Sequence, residues 1–151
     1  MEFRLGTLEN KDVQQLLNEH LLDMEKTSPP ESRHALNLDG LKACDVTFWS
    51  LWNDDRVLGF GALKELGESH GEIKSMRTQS NARGQGLGAK ILEFLIAQAK
   101  LRHYTTLSLE TGSMDFFKPA HRLYERFGFE VCTPFGSYTE DPNSRFYTLK
   151  L

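Results

Sequence analysis

The stretch MRTQSNARGQGLGAKILEFLIAQAK, Met76 to Lys100, constrains this chain more than any other. Gly84, Gly86 and Gly88 occupy alternate positions. They run directly into a segment whose Leu87, Ile91, Leu92, Leu95, Ile96 and Ala99 keep helical spacing to about His103. The residues before the loop, EIKSMRT, read as a strand. A glycine loop closing a helix N-terminus presents backbone N–H groups that have no partner within the helix, at the positive end of its dipole. Both favour a bound anion, and glycine lets the anion's oxygens reach the backbone. Arg83 adds a formal charge just before the helix. Lys90 sits where the dipole disfavours a cation; it reads equally as a partner of a nearby anion and as a solvated surface lysine.

Two other readings of the loop fit less well. A P-loop needs GxxxxGK[ST], and no Lys-Ser or Lys-Thr stands in place. Gly84-x-Gly86-x-x-Ala89 matches a dinucleotide fingerprint, with Glu110 at the end of the next strand. Against it, QSNAR separates the loop from its strand, antiparallel strands precede the unit, and too little chain follows Glu110 for the remaining parallel strands. A Rossmann-type oxidoreductase therefore stays only as an alternative.

The rest of the chain supplies the frame. EFRL alternates as a short strand. NKDVQQLLNEHLLDME places Val13, Leu16, Leu17, His20, Leu21 and Met24 on one helical face, with Asn10 or Asp12 as a cap. Pro29 and Pro30 break that pattern, and HALNLDGLKA adds a turn or two. VTFWSLWN, RVLGFGALKEL and EIKSMRT read as three strands whose short connections make them antiparallel neighbours. Gly59 and Gly61 suggest close packing or a bulge. TTLSLET is a strand. PAHRLYERFGF reads as a helix, with Pro119 in its first turn and Gly128 as its stop. FEVC and RFYTLKL are the last strands. The order β-α-(α)-β-β-β-α-β-α-β-β implies an α/β fold with a mixed sheet over residues 1–151 as one domain.

Composition narrows the function. The net charge of −3 and the absence of a Lys/Arg patch disfavour nucleic acid. No apolar run spans a bilayer, and the N-terminus lacks a signal-peptide core. Cys44 and Cys132 form no CxxC and read as free thiols in a reducing cytoplasm. His20, His34, His70, His103 and His121 show no metal spacing, so no metal is expected.

IKSMRTQSNARGQGLGAKIL, with AHRLYERFGF downstream, resembles the GNAT superfamily of N-acetyltransferases. LYERFGF is similar to its LYEKxGF signature. The resemblance follows the strand and helix order over essentially the whole chain and implies a GNAT-like acyl-CoA N-acyltransferase fold. It implies that acetyl-coenzyme A is the cosubstrate. Its pantetheine arm would lie along the strand at Met76, Arg77 and Thr78, bonded as a β partner by the backbone of Met76 and Thr78. A main-chain N–H near Met76 would face the thioester oxygen. The pyrophosphate would meet Arg83, Gly84, Gln85, Gly86, Leu87, Gly88 and Ala89.

The same resemblance makes Tyr124 the proton donor to the leaving thiolate; a core tyrosine is the other reading. Glu72, eleven residues before Arg83, stands at the offset of the base glutamate in the histone-acetylating branch. It reads equally as a strand-edge glutamate, with water as the alternative base. His121 reads as a helix-surface histidine. Phe117 occupies a place where many members carry an asparagine, so asparagine contacts are not carried over; an aromatic there suits the pocket wall.

The acceptor is read from KTSPPESRHA, ETGSMDFF and TPFGSYTEDPNS, which would overhang the acceptor side. Glu110, Asp115, Glu140 and Asp141, with Phe116, Phe117, Phe135 and Tyr138, suit a cationic amine with an apolar part. Arg33 and Arg77 equally suit a substrate carboxylate. The expected partner is a small-molecule amine, with a protein amine and a non-catalytic acyl-CoA sensor as alternatives. A homodimer through sheet edges is expected, RFYTLKL being a possible edge.

Overall fold

A computed structural model describes residues 1–82 and 84–151. It contains β1 (Glu2–Leu5), α1 (Lys11–Thr27), α2 (Leu38–Leu41), β2 (Val46–Asn53), β3 (Arg56–Glu65), β4 (His70–Thr78), α3 (Leu87–Leu101), β5 (Thr106–Gly112), α4 (Lys118–Arg126), β6 (Glu130–Cys132) and β7 (Ser144–Lys150). One mixed sheet carries the order β1-β2-β3-β4-β5-β7-β6. Asn10 caps α1, its side chain accepting from the amides of Asp12 and Val13. Pro119 lies in the first turn of α4, and Gly128 follows that helix with φ +93°.

The two faces of the sheet bury separate clusters. Ile91, Leu92, Leu95 and Ala99 of α3 pack with Leu107, Leu109, Tyr124 and Tyr147 on one face. Val13, Leu16 and Leu17 of α1 pack with Phe48, Phe60 and Ala62 on the other. Gly59 and Gly61 let α3 lie close to β3. A Cβ at Gly59 would stand 2.8 Å from Ile91 Cδ1, and one at Gly61 would stand 2.8 Å from Leu95 Cδ1.

Among the described residues only β4 and β5 run parallel, and they pair from His70↔Thr106 to Ile73↔Leu109. A doubly wound dinucleotide sheet is all but wholly parallel, so the Rossmann alternative loses its fold. Beyond Ile73 and Leu109 the two strands separate. β4 stays on β3 through Gly59↔Thr78, and β5 stays on β7 through Gly112↔Ser144. At the fork β4 carries a bulge: Ala62 pairs with Ser75 and Leu63 with Ile73, which leaves Lys74 as the extra residue.

One expectation is corrected here. RFYTLKL is not an edge, because β7 lies between β5 and β6. The three-residue β6 turns back through Gly128 and covers Phe146, Tyr147 and Thr148, so β6 forms that edge.

Candidate active site

The fork between β4 and β5 opens into a cleft of ≈ 440 Å³ that passes from one sheet face to the other. Gly88 of α3 and Leu123 and Tyr124 of α4 line it on one side; His20, Met24, Ser32 and His34 line it on the α1 side. Strand parity explains the two-sidedness. On β5, Leu107 and Leu109 enter the α3 cluster, so Ser108 and Glu110 face the other way. On β4, Ile73 enters that cluster, so Glu72 faces away from it.

Parity also orients the backbone. The Gln79 amide donates to the Leu58 carbonyl of β3. Amides alternate in an antiparallel pair, so those of Met76 and Thr78 turn away from β3, into the fork. The Arg77 side chain turns to the α1 face, where Nη1 lies 2.6 Å from Asp23 Oδ2.

The glycine loop borders an adjoining cleft of ≈ 360 Å³. Gly84 and Gly86 have φ of +81° and +74°, a region that a side chain on Cβ disfavours, and Gly86 is the N-cap of α3. Gly84, Gly86, Leu87, Gly88 and Ala89 line this cleft; Gln85 is exposed beside it. Arg83 lies outside the described residues. Lys90 is exposed. Sequence reading missed Arg122 and Arg126, which line the same cleft from α4. Their i, i+4 spacing on the tyrosine helix was the available signal.

Tyr124 is buried, with its ring against Phe129 and Tyr147. Burial first, then the charge of Glu110 and the Tyr147 phenol, hold its hydroxyl well above the usual phenol range. It is therefore a protonated donor at any physiological pH.

On the opposite face, Glu72 is 2% exposed. Its Oε2 accepts from the Tyr138 hydroxyl at 2.6 Å and lies 3.6 Å from Lys74 Nζ. Lys74 Nζ donates to the same Tyr138 hydroxyl at 2.6 Å. Glu110 accepts from the Ser144 hydroxyl at 2.8 Å. Burial pushes its carboxyl up to about 7, with the neighbouring Glu72 and Asp141 also raising it, against Ser144 and Lys74, which lower it.

The three predicted overhangs meet at this cleft. Ser32 Oγ donates to Asp141 Oδ2 at 2.5 Å, which joins the chain after α1 to the β6–β7 connection. Phe117 is 8% exposed and lines the cleft, closed over Gly112. Arg33 is occupied: its Nε donates to Ser28 O at 2.8 Å and Nη2 to Glu25 O at 3.1 Å. His121 is not on the surface. It is 5% exposed, and Nε2 donates to Gly112 O at 2.7 Å while Nδ1 faces Arg145 at 3.3 Å. A β5 carbonyl at the sheet end recruited it inward. Among the described residues, no group of His, Cys, Asp and Glu could hold a metal ion, and no helix is long and apolar enough to cross a membrane.

A strand fork beside a glycine-capped helix, with a tyrosine helix across it, defines an acyl-coenzyme A transferase fold. The family model described as Acetyltransferase (GNAT) family matches residues 12–129, and the chain belongs to that family of acetyltransferases. The chain is 51% identical over 151 residues to the uncharacterized N-acetyltransferase YsnE of Bacillus subtilis (strain 168), covering 100% of both. It is 45% identical over 139 residues to the uncharacterized N-acetyltransferase YedL of Escherichia coli (strain K12), covering 92% of this chain and 87% of that protein. A crystal structure of a GNAT family acetyltransferase from Elizabethkingia anophelis with acetyl-CoA bound superposes with a TM-score of 0.69 at 18% identity, over 99% of this chain and 97% of that one. That likeness concerns the fold.

Proposed function

We propose that the protein transfers the acetyl group of acetyl-coenzyme A to the primary amine of a small molecule, by direct attack in a ternary complex. The observation that carries this reading is the cleft through the fork, with Tyr124 on one face and the carboxylates Glu72 and Glu110 on the other. The pyrophosphate sits on the amides of Gln85 to Ala89, with Arg83, Arg122 and Arg126 supplying charge. The pantetheine enters the fork as a missing strand against Met76 and Thr78, with Arg77 between them turned to the α1 face.

The amine attacks from the acceptor face, where Glu72 and Glu110 stand, and gives up a proton to that face directly or through water. The Met76 amide donates to the thioester oxygen as it becomes an oxyanion. The C–S bond breaks toward α4, where the Tyr124 hydroxyl protonates the thiolate. With Arg77 held by Asp23 and Arg33 held by backbone carbonyls, a cationic amine suits the acidic and aromatic wall better than a carboxylate does. Acetyl-coenzyme A-dependent thiol release across a panel of small amines tests the reading; no release with any of them, or release with protein amines only, overturns it.

A further inference from the structure

We propose that Glu110, rather than Glu72, is the carboxylate that removes the proton from the acceptor amine. The inference rests on the acetyl-transfer reading above and names the base at that same site.

The geometry carries it. Glu110 is the first residue of β5 past the last β4–β5 pair, Ile73↔Leu109. Its β4 side is therefore the open fork, while its other side is fixed by pairing with Phe146 of β7. Strand parity aims its side chain at the acceptor face, and it lines the same cleft as Tyr124. Glu72 sits one pair inside the last position of the ladder, opposite Ser108. It is almost fully buried, and its Oε2 already holds the Tyr138 hydroxyl and faces Lys74. Two protein partners therefore occupy that oxygen before any amine arrives. Among the described residues, Glu110 has one hydrogen bond, from Ser144.

The groups facing Glu110 set its protonation. Lys74 and Ser144 favour its carboxylate; burial, Glu72 and Asp141 oppose it. Tyr124 and Tyr138 also lie within its field. A carboxyl held near neutrality takes a proton and releases it at working pH, as a general base must.

The protons balance. The Glu110 carboxylate takes one proton from the ammonium and passes it to solvent. The freed lone pair forms C–N as C–S breaks, and the thiolate takes the Tyr124 proton. The second nitrogen proton, lost as the amide forms, returns to the Tyr124 phenolate directly or through water. One proton is released net. Glu72 then positions Tyr138 and Lys74 and exchanges no proton.

The test is the pH dependence of kcat in three variants, with wild-type thiol release measured first. Wild type should lose activity on the acid side through an apparent pKa of about 7. Glu110→Gln should lower kcat by roughly 10²–10⁴-fold and abolish that limb, with coenzyme A affinity unchanged. Ser144→Ala, which removes the hydrogen bond favouring the carboxylate, should move the limb to higher pH; a structural role would not. Glu72→Gln should keep the limb. A limb that survives in Glu110→Gln, stays fixed in Ser144→Ala, or vanishes in Glu72→Gln overturns the assignment alone. Absence of wild-type release overturns the acetyl-transfer reading and the assignment with it.

Discussion

The Tyr138 hydroxyl stands 2.6 Å from Glu72 Oε2, a contact that spans 66 residues of sequence. It pins the β6–β7 connection onto the fork, beside the bulge at Lys74. Tyr138→Phe keeps the ring among His34, Phe135 and Phe146 and removes only the hydroxyl. Glu72 and Lys74 are then left 3.6 Å apart without their bridge. The expected result is a loss of about 1–3 kcal/mol of stability, because a buried carboxylate loses its donor. The KM for the amine should rise roughly tenfold, about 1.4 kcal/mol of binding, while coenzyme A affinity stays the same. Denaturant melts and calorimetry read the two effects separately.

Gly86 closes α3 in the left-handed region with open space around its Cα. Gly86→Asp should abolish coenzyme A binding, through a side chain and a negative charge placed where the pyrophosphate is proposed to sit. Gly86→Asn carries a similar backbone cost of about 1 kcal/mol without the charge, and should bind more tightly than the Asp variant. Equal affinity of folded Gly86→Asp and wild type by calorimetry would remove the coenzyme from this loop.

His20 packs on the Phe60 ring, and burial, together with the nearby Arg77, lowers its pKa to about 4. Between that value and the ordinary 6.5, the unfolded chain binds more protons than the folded one. The contribution of His20 to stability therefore falls as pH drops through this window, by up to roughly 3 kcal/mol. Because Glu110 titrates with the opposite sign over much of the same range, the check is the difference between wild type and His20→Gln in chemical melts at pH 7 and pH 4.5. His20→Gln should flatten that part of the dependence.

Glu110 acts with the opposite sign. Its folded pKa of about 7 lies above the ordinary 4.5, so the folded state binds more protons between the two. The contribution of Glu110 to stability is lost as pH rises through that window. Glu110→Gln should therefore be more stable than wild type at pH 8, by about 1–3 kcal/mol, and should lose that advantage at pH 4. Melting at the two pH values reads the crossover; a variant destabilised at both would contradict it.

Periodicity and glycine placement made most elements legible. VTFWSLWN is β2 residue for residue, and the alternate glycines do end on an α3 N-terminus. The residues proposed to hold the coenzyme could be singled out because they are contiguous along the chain. The acceptor side was not, because it depends on pairing. Nothing in EIKSMRT announces that Lys74 is the bulged residue; that follows from the register of β4 on β3. Glu110 looked like one acid among several until the ladder with β4 was seen to stop at Leu109. His121 looked exposed because α4 alone does not show that the Gly112 carbonyl comes within 2.7 Å of it.

The most direct test of acetyl transfer across the fork is Tyr124→Phe. The exchange removes one hydroxyl and keeps a ring that packs on Phe129 and Tyr147. A thiolate leaving without a proton donor must depart as an anion into a partly dry site, which is costly. With an amine that wild type acetylates, thiol release by the Phe variant should show kcat lower by roughly 10²–10⁴-fold. Coenzyme A affinity and melting temperature should stay within error of wild type. Turnover close to wild type, or loss of activity together with binding and stability, would contradict the acid role and send the search for the proton donor elsewhere.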